Sequence, residues 1–198
     1  MLAGCSVVGI RSGTEEPAYT VVRTRPGLEI RQYGARLAAE TVVPGAEVAA
    51  RSEGFRRIAG FIFGGNQSET KIAMTAPVAT APSQNIAMTA PVAQTQTPEG
   101  WRVRFFMPSE YTLQTLPKPN DTRVKIVTVP AETYAVYRYS GLISPQGTAR
   151  AHTELTRLLA TSGYTPHGEI VDWFYDPPWT LPPLRRNEAA VVVTEAIP

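Results

Sequence analysis

The segment "YDPPWTLPPLRRNE", residues 175–188, gathers the densest recognition chemistry in this 198-residue chain. Arg185 and Arg186 follow directly on a loop of four prolines that holds Trp179 and Leu181. A guanidinium pairs bidentately with a carboxylate, and a proline-rich loop presents apolar side chains at small entropic cost. The segment therefore predicts a cationic rim beside an apolar surface; solvated arginines at the start of a strand are the competing reading. The two histidines are weaker candidates. His152 lies three and seven residues before Leu155 and Leu159, at the border of a helical stripe, where a helix-edge role competes with ligation. His167, in "GYTPHGE", reads as an exposed turn residue. No nucleophile elbow, phosphate loop, dinucleotide fingerprint or zinc-spaced Cys/His set occurs, and no pair of acids has a spacing that forces a shared site. The expectation is a protein without catalytic residues and without a metal cluster.

The lone cysteine is Cys5, in the opening "MLAGCS". Leu2-Ala3-Gly4-Cys5 matches the end of a bacterial lipoprotein signal peptide, where small residues admit the peptidase and the cysteine is lipidated. The basic and apolar regions of such a signal are missing, since only Met1 precedes the match. A free thiol in a loose terminus is the alternative. The expectation is lipidation at Cys5, with residues 1–18 as lipobox remnant and flexible tether and the rest facing the periplasm or exterior of a bacterial envelope. Without that processing the protein would be soluble.

These residues must be positioned by a folded body, and 198 residues bury enough apolar surface to fold without disulfides. A formal charge of +2, with no block of like charges, gives no footprint for nucleic acid. No run of eighteen apolar residues reads as a membrane span, so contact with a membrane is expected through the lipid alone.

"YTVVRT", "LEIRQY" and "RLAAETVV" alternate as strands of an antiparallel meander, broken by Arg25-Pro26-Gly27 and Gly34. The period then changes. Val48, Phe55, Ala59 and Ile62 recur at spacings of seven, four and three, which predicts one buried helix face, stopped by Gly64 and Gly65. On the other side lie Ala50, Gly54, Arg57 and Phe61, a flat small-residue surface with one aromatic; it suits a planar ligand, unless the fold wraps that side too. The octapeptide "IAMTAPVA" follows twice, at residues 72–79 and 86–93, and each copy reads as a short strand with Ile and Met inward, closed by Pro77 or Pro91. "QTQTPEG" separates two halves, about 19–97 and 98–198. In the second, "WRVRFFMP", "VKIVTVP" and "ETYAVYRYSG" precede a helix capped by Ser144 with Pro145 at its first position, ended by Gly163, and followed by "EIVDWFY" and "EAAVVVTE". Each half thus has strands, one helix, then two strands. The predicted fold is α+β: a mostly antiparallel, distorted β-barrel with two helices and a pseudo-twofold internal duplication, forming one domain over 19–198.

"GLEIRQYG", "FIFGGN", "KIAMTAPV", "FFMPSEY", "YDPP" and "RRNEAAVV" resemble, in this order, the signature segments of the SOUL or haem-binding protein family, from about Tyr19 to Val193. The resemblance implies a distorted barrel with two helices and non-covalent binding of haem or another tetrapyrrole in a shallow apolar groove bordered by the first helix and the "YDPP" loop. On this chain the cofactor-binding candidates are Gly54, Arg57, Phe61, Tyr175, Trp179, Arg185 and Arg186, with the two arginines meeting the propionates. Some family members have a histidine, suspected of axial ligation, where this chain has Gln32, a poor iron ligand, so the axial ligand is left open. Met74 and Met88 are core fillers before they are ligands. The function expected is buffering or transfer of a tetrapyrrole. The alternatives are a general effector-binding barrel for apolar small molecules and a module that docks a protein partner.

Overall fold

The computed structural model of the protein describes residues 14–67 and 83–196. Cys5, Met74, Pro77 and the first octapeptide copy lie outside the described residues.

Strands β1 (Tyr19–Arg25), β2 (Leu28–Tyr33) and β3 (Arg36–Val43) lead into helix α1 (Glu47–Ile62). After the short β4 (Asn66–Gln67) come β5 (Val92–Thr97), β6 (Gly100–Phe106), the short β7 (Lys118–Pro119), β8 (Lys125–Val129) and β9 (Glu132–Tyr139). Helix α2 (Pro145–Leu159), β10 (Tyr164–Phe174) and β11 (Asn187–Glu195) complete the chain. Alternating apolar residues make the strands, and the predicted cap starts α2: the Ser144 hydroxyl accepts the Gly147 N–H at 3.1 Å.

Among the described residues nine strands form one antiparallel sheet in the order β1-β2-β9-β11-β10-β5-β6-β3-β8, and β4 pairs with β7 separately. The order is symmetric about the central pair. On one side β10, β11 and β9 are the second, third and first strands of a strand–helix–strand–strand unit; on the other β5, β6 and β3 hold the same places. The division expected at 97/98 falls in the tight turn between the paired β5 and β6, inside one such unit. Gln94 and Asp172 are direct partners across the centre, so their side chains share a face. Gln94 meets Arg51 of α1 and Asp172 meets His152 of α2, which puts both helices over that face.

The opposite face is the inside of a curl. Tyr33 on β2 and Phe106 on β6 are separated by four strands in the order, yet both rings flank the Arg36 guanidinium, at 4.4 and 4.6 Å. Tyr33, Phe106, Tyr134 and Trp173 fill the interior as one cluster, with edge-on ring contacts of 5.5–5.7 Å between Tyr33 and its two neighbours. The curl stops short of a barrel: among the described residues β1 and β8 are unpaired edges, and the sheet is open.

Helix α1 buries mainly the face opposite its predicted one, and of the predicted face Ile62 alone is fully buried. Ala50, Gly54, Ile58, Phe61 and Ile62 are buried, whereas Val48 and Phe55 are exposed. The cause is close approach. A Cβ on Gly54 would sit 2.6 Å from Val103 Cγ2 on β6, so the small-residue stripe is the contact that lets the helix lie on the sheet. The second octapeptide also departs from its expected strand. Ile86 is buried under α1, but Met88 is 38% exposed, and only Val92 and Ala93 enter β5. The Thr89 hydroxyl donates to the Phe106 carbonyl and the Ala90 N–H to Glu15, so the segment is tied to two different neighbours instead of one ladder. His167 lies within β10, not in a turn; its ring is exposed and hydrogen-bonds Thr194 at 2.7 Å.

Candidate functional site

The seven residues expected to form a tetrapyrrole site do not share a surface. Gly54 and Phe61, the latter 2% exposed, belong to the core under α1, so Phe61 presents no ring to a ligand outside. Arg57 is held by Glu53 at 2.7 Å and reaches Thr41. Arg185 folds back on its own loop, donating to the carbonyls of Thr180 and Pro178. Only Trp179, 57% exposed, stands free as expected, with Leu181 and Leu184 exposed beside it.

Tyr175 and Arg186 belong instead to a buried charge cluster around Glu188. Glu188 is fully buried on β11 and accepts from Arg31 of β2 twice, at 2.8 and 3.1 Å, from Arg186 at 2.9 Å and from the Tyr175 hydroxyl at 2.7 Å. Glu29 completes Arg31, and Glu16 completes Arg186 at 2.9 Å, pinning the N-terminal segment to the sheet. The guanidinium of Arg186 lies 3.8 Å over the Tyr175 ring. Burial alone would raise the Glu188 pKa, but the hydrogen bonds and charges of Arg31 and Arg186 hold it below the usual carboxylate range. Burial would likewise lower Arg31, yet Glu188 raises it above its ordinary value. The predicted propionate partner Arg186 is thus already paired.

Between the helices, His152 and Asp172 meet at 2.9 Å. That hydrogen bond raises the His152 pKa against the opposing effect of burial. Glu47 and Arg51, paired at 3.5 Å, line the same seam, and the Arg51 guanidinium lies over the Phe174 ring. His152 therefore braces α2 to β10.

An open cleft lies elsewhere. It measures about 520 Å³ and is bounded by Glu15–Ala18, by the turn Gly34–Leu37, and by the run from Phe106 to Leu113, with Thr89 and Thr128. Its apolar wall includes Phe106, Met107, Tyr111 and the exposed Leu113. Arg36 supplies the cation. It follows the Gly34-Ala35 turn at the start of β3, and its side chain runs between the Tyr33 and Phe106 rings with Tyr134 at 5.9 Å. Its Nε and Nη2 are buried and donate to no partner among the described residues. Burial lowers its pKa, partly offset by Tyr134, Tyr33 and Glu132. None of the seven predicted residues lines this cleft. An arginine opening a strand looks like any solvated arginine in a sequence, and nothing in the spacing around it signals an aromatic box assembled from β2, β6 and β9.

An open, curled α+β sheet with one helix over each half and a cleft at the mouth of the curl defines a class of scaffold, and comparison with known proteins places the chain within it. Residues 14–192 match the SOUL heme-binding protein family, and the chain belongs to that family. No curated protein matches it. Among solved structures it is similar to the EcmrR C-terminal domain, at 11% identity over 90% of this chain and 99% of that one, with a TM-score of 0.59. It is also similar to a hydrolase from Listeria innocua, at 10% identity over 87% and 94% of the two chains, with a TM-score of 0.55. The EcmrR chain of an assembly with DNA is 10% identical with a TM-score of 0.60; 86% of this chain covers 57% of that one. At such identities the likeness is one of fold.

Proposed function

We propose that the protein binds haem or another tetrapyrrole reversibly, without catalysis, at the cleft walled by Phe106, Met107, Tyr111 and Leu113, and so buffers or hands on its ligand. Family membership supplies the ligand class. The observation that carries the location is the pair of unmet Arg36 donors, Nε and Nη2, beside an apolar cleft whose volume lies within the range of about 300–1,000 Å³ usual for small-molecule sites. The residues fit the group in two respects. Apolar side chains suit the macrocycle, and a cation suits a propionate. For the iron, Tyr111 and Met107 are the lining residues of types that ligate haem. A bound haem would bring redox-active iron; the chain's own part is to cover an apolar edge and meet a carboxylate.

Titration of the purified protein with haemin tests this. A saturable, equimolar Soret shift is expected, weakened by Leu113→Asp and unchanged by Trp179→Ala. If Trp179→Ala alone weakens it, the ligand sits on the proline-rich loop, a second location favoured by the exposed Trp179, Leu181 and Leu184. No saturable shift removes the proposal. A general apolar effector in the same cleft, or a protein docked on the exposed loop, would then be the function to pursue.

Two further expectations belong to this reading. The symmetric strand order supports an internal duplication of the strand–helix–strand–strand unit, with the unit boundary after β6. Lipidation at Cys5 would tether the domain at the envelope, and acyl mass on that residue in the membrane fraction tests it.

A further inference from the structure

Arg31, Arg36, Arg185 and Arg186 have guanidinium groups buried in or beside the curl, and three of the four are held by acceptors of the chain itself. Arg31 has two carboxylates, Arg186 has two, and Arg185 has two carbonyls. Arg36 is the exception among these four, with two buried donors unmet; Arg102 on β6 also has a buried Nε without a hydrogen bond, but the Glu40 carboxylate lies 3.5 Å from it. A buried donor without an acceptor is costly, and the cost is recovered when an acceptor arrives. The donors Nε and Nη2 lie on one edge of a planar guanidinium, the edge that grips a carboxylate bidentately. The flanking Tyr33 and Phe106 rings fix that plane by stacking.

The rest of the cleft sets what the acid is attached to and how much charge it carries. Phe106, Met107, Tyr111 and Leu113 continue away from the guanidinium as an apolar wall. Glu15 and Glu16 also line the cleft, and although Glu16 is paired with Arg186 and Glu15 accepts the Ser109 N–H, both disfavour a dianion such as a phosphate monoester. Glu16 and Pro17 border both the cleft and the aromatic box, so the way from the cleft to the buried Nε and Nη2 runs past this segment, and docking requires a ligand to displace it.

We propose that the cleft is a receptor for an apolar monocarboxylate, whose acid group docks on the unpaired edge of Arg36 and whose hydrocarbon or aromatic body lies along Phe106, Met107, Tyr111 and Leu113. The inference rests on the same cleft as the tetrapyrrole reading and extends it to any apolar acid of suitable size.

The test uses two fluorescent probes that differ only in the end group, 1-pyrenebutyric acid and 1-pyrenebutanol, titrated into the full chain. The acid is expected to bind at least about tenfold tighter than the alcohol, as a charge-assisted pair requires. Arg36→Met should abolish that ratio by weakening the acid while leaving the alcohol unchanged, and Arg36→Lys should restore part of it. Leu113→Asp, at an exposed position, should weaken both probes. Equal binding of acid and alcohol, an acid preference that survives Arg36→Met, or no binding of either probe overturns the proposal. Haemin run in parallel separates the two readings: a failed Soret shift with the acid preference intact ends the tetrapyrrole reading alone, and the reverse result ends this one alone.

Discussion

Arg31 and Arg36 stand five positions apart on consecutive strands of the chain, each against aromatic rings, and burial, which lowers the pKa of both, is outweighed by a carboxylate at Arg31 alone. Arg31 is surrounded by Glu188 and Glu29 and is held above its ordinary pKa; Arg36 has rings on two sides, two unmet donors and a lowered pKa. A buried ion pair with every lone pair and proton used holds strands together, whereas a buried cation with unused donors carries a cost that nothing in the fold offsets. The contrast extends to the two arginines expected to meet propionates. Arg185 and Arg186 are spent on the chain itself, and Arg36, which the sequence does not single out, is not.

Substitutions test this contrast directly. The largest effect belongs to Glu188→Ala, which strands Arg31 and Arg186 together and should cost about 3–5 kcal/mol in urea unfolding; a loss under about 1 kcal/mol would mean that the cluster is solvated and the contrast empty. Gly54→Ala calibrates a purely steric core contact. The added methyl would press on Val103 Cγ2 at 2.6 Å, and the expected loss is about 1–3 kcal/mol. A neutral outcome would free this face of α1 for the outward role the sequence suggested. Arg36→Met should change stability by less than about 1 kcal/mol, and in the stabilising direction, because it removes unmet donors and keeps apolar volume. A large loss there would show that Arg36 is structural like Arg31.

The smallest effects concern pH. Glu188 has a folded pKa below its usual 4.5, so its stabilisation is present above that value and is lost as pH falls through the depressed folded pKa. His152 has a folded pKa above 6.5, so its contribution is full below 6.5 and disappears as pH rises through the higher folded value. Urea midpoints should therefore decline modestly from pH 6 to pH 9 in the wild type and less in His152→Gln. Equal slopes would remove the Asp172 pairing as a source of stability.

Much of the fold could be read along the chain. The strands around Ile30, Val103, Val136 and Val191 follow from alternation, and α2 from its Ser144 cap, Pro145 and the buried Leu155 and Leu159, because these signals act between residues a few positions apart. The family was legible in the same way, as an ordered series of short segments. The site was not. Periodicity gives α1 two candidate faces, and the choice between them was made by how closely Gly54 approaches Val103, a contact between elements. The choice of which arginine stays unpaired depends on carboxylates such as Glu188, 157 positions from Arg31, arriving or not arriving beside each guanidinium. Local chemistry determines which segments become strands and helices; the supply of partners across the curled sheet is settled only when the chain is packed, since hydrogen bonds and ion pairs act over a few ångströms of space and not along the sequence.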